Sequence, residues 1–341
     1  MGCSSACKVF ERVSDSLVFI LKNHFGVRKV VKYLDDFLFI ADTHMECLKA
    51  LQSFEQMCGM LNIPIAAHKT VHPCTELTFL GYQIDSVRML VSIPKEKIDS
   101  YSVDIRKLME TSSTTLREIK SLIGKLQFVV NVITAGRCFI RRLINLTVGK
   151  RHPAQRIIID ETIREDLSMW LNFFRNYNGK NLIQHQFVTN SIALHFYTDS
   201  CKSGYGGTFG RKYICGLFPE AWYQYDIQIL ELYPIYVLLH LFAKDLANSS
   251  VEFYCDNLAV VQIMNKQTSR SPTIMRLLRP MICTMLKFNI SFKSVHIPGI
   301  YNNLCDALSR SQVTESLLRT HGLECHPTPL PQWMRPQNLR I

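Results

Sequence analysis

Residues 30–42 read VVKYLDDFLFIAD: two runs of β-forming apolar residues meet at two adjacent aspartates, Asp35 and Asp36. The pattern is that of a hairpin, and the acids restrict where its tip can lie. Burying one unpaired carboxylate costs several kcal/mol, so a tip bearing two must face water, an arginine or a cation. Such a tip suits Mg2+, a hard ion that takes oxygen ligands and also binds substrate phosphates. The plainer reading is a turn with ordinary turn-forming aspartates.

The hairpin belongs to a small mixed α/β unit over residues 1–93. Phe10, Val13, Leu17, Ile20 and Leu21 recur at helical spacing before a break at Gly26. Thr43 and Glu46 form a capping box for a helix through Leu61, with Leu48, Leu51, Cys58 and Leu61 on its inner face. NIPIAAHKT returns as strand and loop, and ELTFLGYQID and RMLVSIP read as two further strands. The character changes at Pro94, and residues 94–175 are mostly helical. There Leu116, Ile119, Ile123, Leu126, Val130 and Ile133 step by three and four behind a Thr115/Glu118 capping box. Asp160 caps a helix burying Ile163, Leu167, Trp170 and Phe174, and residues 177–190 read as a linker.

From 191 the order is strand, strand, strand, helix, strand, helix, helix, strand, helix, which implies a mixed sheet with helices packed on it. Asp199 ends the strand SIALHFYTD, Glu231 lies early in a strongly apolar helix, Asp256 ends VEFYCD, and Asp306 lies in the helix NNLCDALSR. Each follows an apolar run that ought to be buried. Strands ending at a common sheet edge can bring Asp199 and Asp256 together with acids from helices across the same face. Four carboxylates at one place repel one another unless cations neutralise them. Two divalent ions roughly 3.5–4 Å apart would do so and would hold both the attacking water and the leaving oxygen of a phosphodiester. Taken singly, each acid reads as a helix cap or a solvated side chain. Residues 312–341, with several prolines, read as a loosely ordered tail.

Lys and Arg number 39 against 28 Asp and Glu, a formal net charge of +11 with pI near 9.1. That excess points to a polyanionic partner, and Arg137, Arg141 and Arg142 with Lys120 and Lys125 could track phosphates; a solvated helical face is the alternative. No apolar run reaches transmembrane length and no juxtamembrane basic block is present, so the expected partner is nucleic acid and not a membrane. The 12 cysteines are scattered without a C-x-x-C pair, which argues for reduced thiols and against a disulfide-linked partner. With no targeting signal visible, cytoplasm or nucleus is the expected location.

These motifs together resemble the pol proteins of retrotransposons, most closely the DIRS-like tyrosine-recombinase elements, in which a reverse transcriptase is joined to an RNase H. The resemblance runs to about residue 311. YLDDFLFIAD looks like the polymerase YxDD motif; NIPIAAHKT and LTFLGYQID resemble the next palm motifs, with Lys69 near the triphosphate and Gly81 near the primer end. LREIKSLIGKLQFVVNVITAGRCFIRRL resembles the thumb and connection helices, and TDS, ELYPI, CDNLAVV and HIPGIYNNLCDALSR resemble the RNase H motifs. The implied organisation is a partial palm over 1–93, a helical thumb or connection and linker over 94–190, an RNase H-like domain over 191–311, and a tail over 312–341.

The resemblance implies RNA hydrolysis in RNA–DNA hybrids, with two Mg2+ ions (Mn2+ as the alternative) held by Asp199, Glu231, Asp256 and Asp306, and His296 assisting turnover. It also implies a third polymerase aspartate and a fingers subdomain upstream of Met1. Asp35 and Asp36 would then be two metal ligands of a three-carboxylate site, and the chain alone would not synthesise DNA. Two other readings stand beside this one: a non-catalytic nucleic-acid-binding remnant, and a fragment of a longer, complete polymerase.

Overall fold

The computed structural model describes residues 4–181 and 196–339. The chain divides into two compact units, residues 1–98 with 178–183, and residues 99–177 with 184–341. In chain order the first unit contributes α1 (Ala6–His24), β1 (Val30–Tyr33), β2 (Asp36–Phe39), α2 (His44–Met60), β3 (Glu76–Phe79), β4 (Tyr82–Asp85) and β5 (Leu90–Ser92). The segment that follows carries α3 (Lys95–Glu110), β6 (Ser113–Thr115), α4 (Leu116–Val129), α5 (Gly136–Leu146), β7 (Arg156–Ile158), α6 (Glu161–Asn176) and β8 (Lys180–Asn181). The C-terminal sheet and its helices are β9 (Tyr197–Ser200), β10 (Gly204–Phe209), β11 (Lys212–Leu217), α7 (Ile227–Leu241), β12 (Ser250–Cys255), α8 (Leu258–Lys266), α9 (Pro272–Lys287), β13 (Ser291–His296), α10 (Asn303–Ser309) and α11 (Glu315–Thr320).

In the first unit Leu17 and Leu21 of α1 meet Met57 and Cys58 of α2, with Phe37, Phe39 and Phe54 packed against them. Thr43 caps α2 as expected, its hydroxyl accepting from the Glu46 N–H. Leu61 does not face inward: it is the residue after the last turn, where the backbone has left the helical path, and it is 47% exposed. Part of the expected linker is a strand. β8 pairs antiparallel with β5, and the Asn178 amide both donates to the Ile93 carbonyl and accepts from its N–H, each at 2.9 Å. The expected strand start at residues 191–195 lies outside the described residues.

In the second unit α4 begins on the full Thr115/Glu118 capping box. The Thr114 hydroxyl, then the backbone N–H and hydroxyl of Thr115, hold Glu118 down to about 2. Leu116, Ile119, Leu126, Ile163, Leu167 and Trp170 are all buried, as their spacing requires. The five-stranded sheet runs β11-β10-β9-β12-β13, antiparallel among β9, β10 and β11, with β12 parallel to both β9 and β13. Every residue of α7 from Ile229 to Leu239 is buried, Glu231 included.

One expectation is corrected here. Residues 312–339 are not a loose tail. Leu318 and Leu323 share an apolar cluster with Tyr213 and Leu308, the Thr328 N–H donates to the Tyr213 carbonyl at 2.8 Å, and the buried Tyr233 hydroxyl donates to the Met334 carbonyl at 2.9 Å. The prolines prevent a long helix, but spaced apolar side chains still find the edge of the sheet. Arg142 and Lys125, expected to track phosphates, also pair with acids of the protein. Asp166 of α6 is 2% exposed and accepts from Arg142 of α5 at 3.0 Å and from Arg279 of α9 at 3.1 Å. Lys125 pairs with Asp104 at 2.5 Å.

Burial pushes the Asp166 carboxyl up to about 6 against the pull of its two guanidiniums. Removing one member of such a buried group strands the others, which costs about 3–5 kcal/mol. Asp166→Ala is expected to lower the unfolding free energy by that amount in urea titration, whereas Glu165→Ala, whose side chain is 66% exposed, should change it little.

Candidate active site

Strand register brings the first two acids together. β12 runs parallel to β9 with Tyr254 opposite Tyr197, and the two rings stack 5.0 Å apart. Asp199 stands two residues further along β9, and Asp256 is the first residue past the end of β12, so the two acids share the sheet edge, where Asp256 acts on the Asp199 carboxyl.

Glu231 comes from α7, which is tied to the same edge where the Ser200 hydroxyl donates to the Leu230 carbonyl at 2.9 Å. Glu231 is 5% exposed, and its Oε2 is buried without a hydrogen-bond partner. Burial first, then the nearby Asp199 and Asp256, push it up to about 9. One ligand-capable atom each of Glu231, Cys255 and Asp256 lies within 4.8 Å of the others. Asp199 stands outside that group but interacts electrostatically with Glu231, Asp256 and Asp306. Burial raises its carboxyl, opposed by the Ser309 hydroxyl, which donates to Oδ2 at 2.6 Å. Burial also raises Asp256, with Asp306 adding to the shift and His296 opposing it.

Asp306 reaches the site because α10 lies almost on the backbone of β10. A Cβ on Gly206 would sit 2.4 Å from Leu308 Cβ and 2.8 Å from the Ser309 nitrogen, and one on Gly204 would sit 2.4 Å from the Ser309 carbonyl oxygen. The glycines of GYGGTF thus set the distance from α10 to the sheet. Arg310 holds Asp306 from one turn along, Nε to Oδ1 at 2.8 Å. His296 ends β13 opposite Cys255, exposed at the rim, with Nε2 3.1 Å from the Asp256 carbonyl oxygen. The buried Asn302 amide donates to the Thr198 carbonyl at 2.9 Å, fixing the turn between His296 and α10 onto β9.

All four expected acids therefore face one sheet edge, and His296 borders it. Ser309, Arg310, Cys255 and the two glycines were not singled out from sequence; the run DALSR carried Ser309 and Arg310 beside an acid already noticed. The expected basic contacts do not join this site. Lys120 is exposed on α4, Arg137 is half-buried, and Arg141 Nε is buried without a partner.

The first unit holds the other carboxylate pair. Asp35 and Asp36 are exposed at the tip of the β1–β2 hairpin, where Tyr33 pairs with Asp36. Leu34 in that turn has φ 49°, a left-handed conformation that costs a leucine about 1–2 kcal/mol. A cleft of about 620 Å³ is lined by Asp35, Asp36, Phe10, Lys69 and Gly81 among others, so four of the expected polymerase residues line one cavity.

The family comparison bears on this unit. Residues 1–84 match the model of the reverse transcriptase (RNA-dependent DNA polymerase) family. Over that stretch the chain is similar to reverse transcriptases. A search of curated proteins finds no match. Among solved structures, the foamy viral protease–reverse transcriptase in complex with double-stranded DNA is similar at 18% identity, covering 87% of this chain and 60% of that one, TM-score 0.43. The same protein in complex with an RNA/DNA hybrid matches at 18% identity over 83% of this chain and 37% of that one, TM-score 0.42. Its dRH form with double-stranded DNA matches at 19% over 84% and 49%, TM-score 0.42. The chain thus spans 37–60% of the length of these structures, and scores of this size give no residue-by-residue correspondence.

The donor set of the second unit suits a divalent cation: clustered carboxylates, one with a buried oxygen lacking any partner. Without a cation Glu231 binds its proton more tightly folded than unfolded. Stability from that proton is full below 4.5 and is lost as pH rises towards about 9. Thermal melts of cation-free protein should therefore fall across this window, and Glu231→Gln should flatten the fall. Excess Mg2+ should raise the wild-type melting temperature most at the alkaline end and that of the variant much less.

Proposed function

We propose that this chain is a retroelement-derived reverse transcriptase/RNase H protein whose second unit hydrolyses the RNA strand of RNA–DNA hybrids with Mg2+. The observation that carries this reading is the register of β9 and β12, which sets Asp199 beside Asp256 at one edge, next to a buried Glu231 oxygen with no partner. Asp199, Glu231, Asp256 and Asp306 would hold the cations. When bound, two divalent ions supply a hydroxide-like water and neutralise charge on the phosphodiester. Ser309 orients Asp199 and Arg310 orients Asp306. From the exposed rim His296 would pass a proton to the departing oxygen. The net charge of +11 favours a polyanion, and choice of the RNA strand would rest on its 2′-OH and on groove shape. Mn2+ would serve by the same ligands.

A non-catalytic binding remnant is the weaker reading, because a buried and unpartnered carboxyl among other acids is costly to keep where no cation is bound. For the first unit we propose a polymerase motif in which Asp35 and Asp36 are two of the three carboxylates that the resemblance implies. Purified 1–341 is expected to give no template-dependent primer extension.

Asp256→Asn should keep the wild-type circular dichroism and lower the rate of hybrid cleavage on the order of a thousandfold, about 4 kcal/mol of barrier. A near-wild-type rate in that variant would overturn the assignment.

A further inference from the structure

Cys255 is the last residue of β12 and is completely buried. Hydrolysis as proposed above gives its thiol no task. Yet Sγ lies within 4.8 Å of a carboxylate oxygen of Glu231 and of one from Asp256, and those two oxygens also lie within 4.8 Å of each other. A second observation at the same place is the Glu231 Oε2, buried without a partner. A third is the Asn257 backbone N–H, which donates to Sγ at 3.3 Å and holds the sulfur in place beside the acids.

Mg2+ takes oxygen ligands and has no use for sulfur. Zn2+ and its softer relative Cd2+ do: Zn2+ binds Cys sulfur at about 2.3 Å and carboxylate oxygen at about 2.0–2.2 Å, in a tetrahedral shell. Corners of such a shell lie about 3.3–3.8 Å apart, so the three side chains need to close by about an ångström. We propose that Glu231, Cys255 and Asp256 form a thiolate-containing site for a soft divalent ion, Zn2+ or Cd2+, which overlaps the Mg2+ site and blocks it. The blocking rests on the ribonuclease reading; the ion binding does not. On binding, the S–H bond breaks, its proton leaves to solvent, and the sulfur–metal bond forms with no electron transfer.

The test uses the full reduced, metal-free chain with one equivalent of Cd2+, read by the ultraviolet thiolate-to-cadmium charge-transfer band. Wild type and Cys283→Ala, a cysteine on α9 outside the Glu231–Cys255–Asp256 group, are expected to give the band in full. Cys255→Ala should lose more than half of it. In parallel, each protein's Mg2+-supported hybrid cleavage is titrated with Zn2+ relative to its own starting rate, and Cys255→Ala should need roughly tenfold more Zn2+ for half inhibition, about 1.4 kcal/mol of ion affinity. Where Cys255→Ala does not melt cooperatively, Cys255→Ser replaces it. Equal bands in wild type and variant would overturn the ion site. A lost band with unchanged Zn2+ sensitivity would overturn the blocking. A lost band with no Mg2+-supported cleavage in either protein would uphold the ion site and sink the ribonuclease reading.

Discussion

The parallel pairing of β12 with β9 is the constraint on which the second unit turns. One in-register pair, Tyr254 with Tyr197, sets where the two aspartates end up along the sheet edge. α7 and α10 then bring a glutamate and a third aspartate to an edge that is already acidic. α7 is buried along nearly its whole length and is held by the Ser200–Leu230 hydrogen bond. α10 is held close by the side-chain-free strip at Gly204 and Gly206. The apolar packing thus supplies the free energy that keeps like charges together, and the acids remain a liability until something positive joins them.

Much of this was legible beforehand, because apolar runs ending in an acid say both where a strand stops and what it presents. The order of strands and helices from 197 onward follows from runs such as VEFYCD and QILELYPIYVLLHL, and the capping residues Thr43, Thr115 and Asp160 act where their spacing put them. Three kinds of feature escaped. Charge pairs between distant elements cannot be read from local pattern: Arg142 lies in a basic run, and only the approach of α6 and α9 makes it a partner of buried Asp166. Short strands without periodicity also escaped, and Lys180–Asn181 pairs with β5 from within a polar stretch. The C-terminal residues looked loose because proline hides the apolar spacing of Leu318, Leu323 and Met334, all of which are buried.

The two carboxylate clusters are built differently. At Asp35 and Asp36 the acids are exposed on a tight hairpin and cost the fold little beyond the left-handed Leu34. At Glu231 the acid is buried, and the cost is electrostatic. A buried acid recovers that cost by keeping its proton or by binding a cation, so the stability of the second unit depends on pH and on cations more than that of the first.

The most direct test is to locate the ions. Crystals of the chain grown with Mn2+ and measured at its absorption edge should show anomalous peaks within bonding distance of Asp199, Glu231 and Asp256. Crystals that diffract well and show manganese elsewhere but none at this edge would contradict the account.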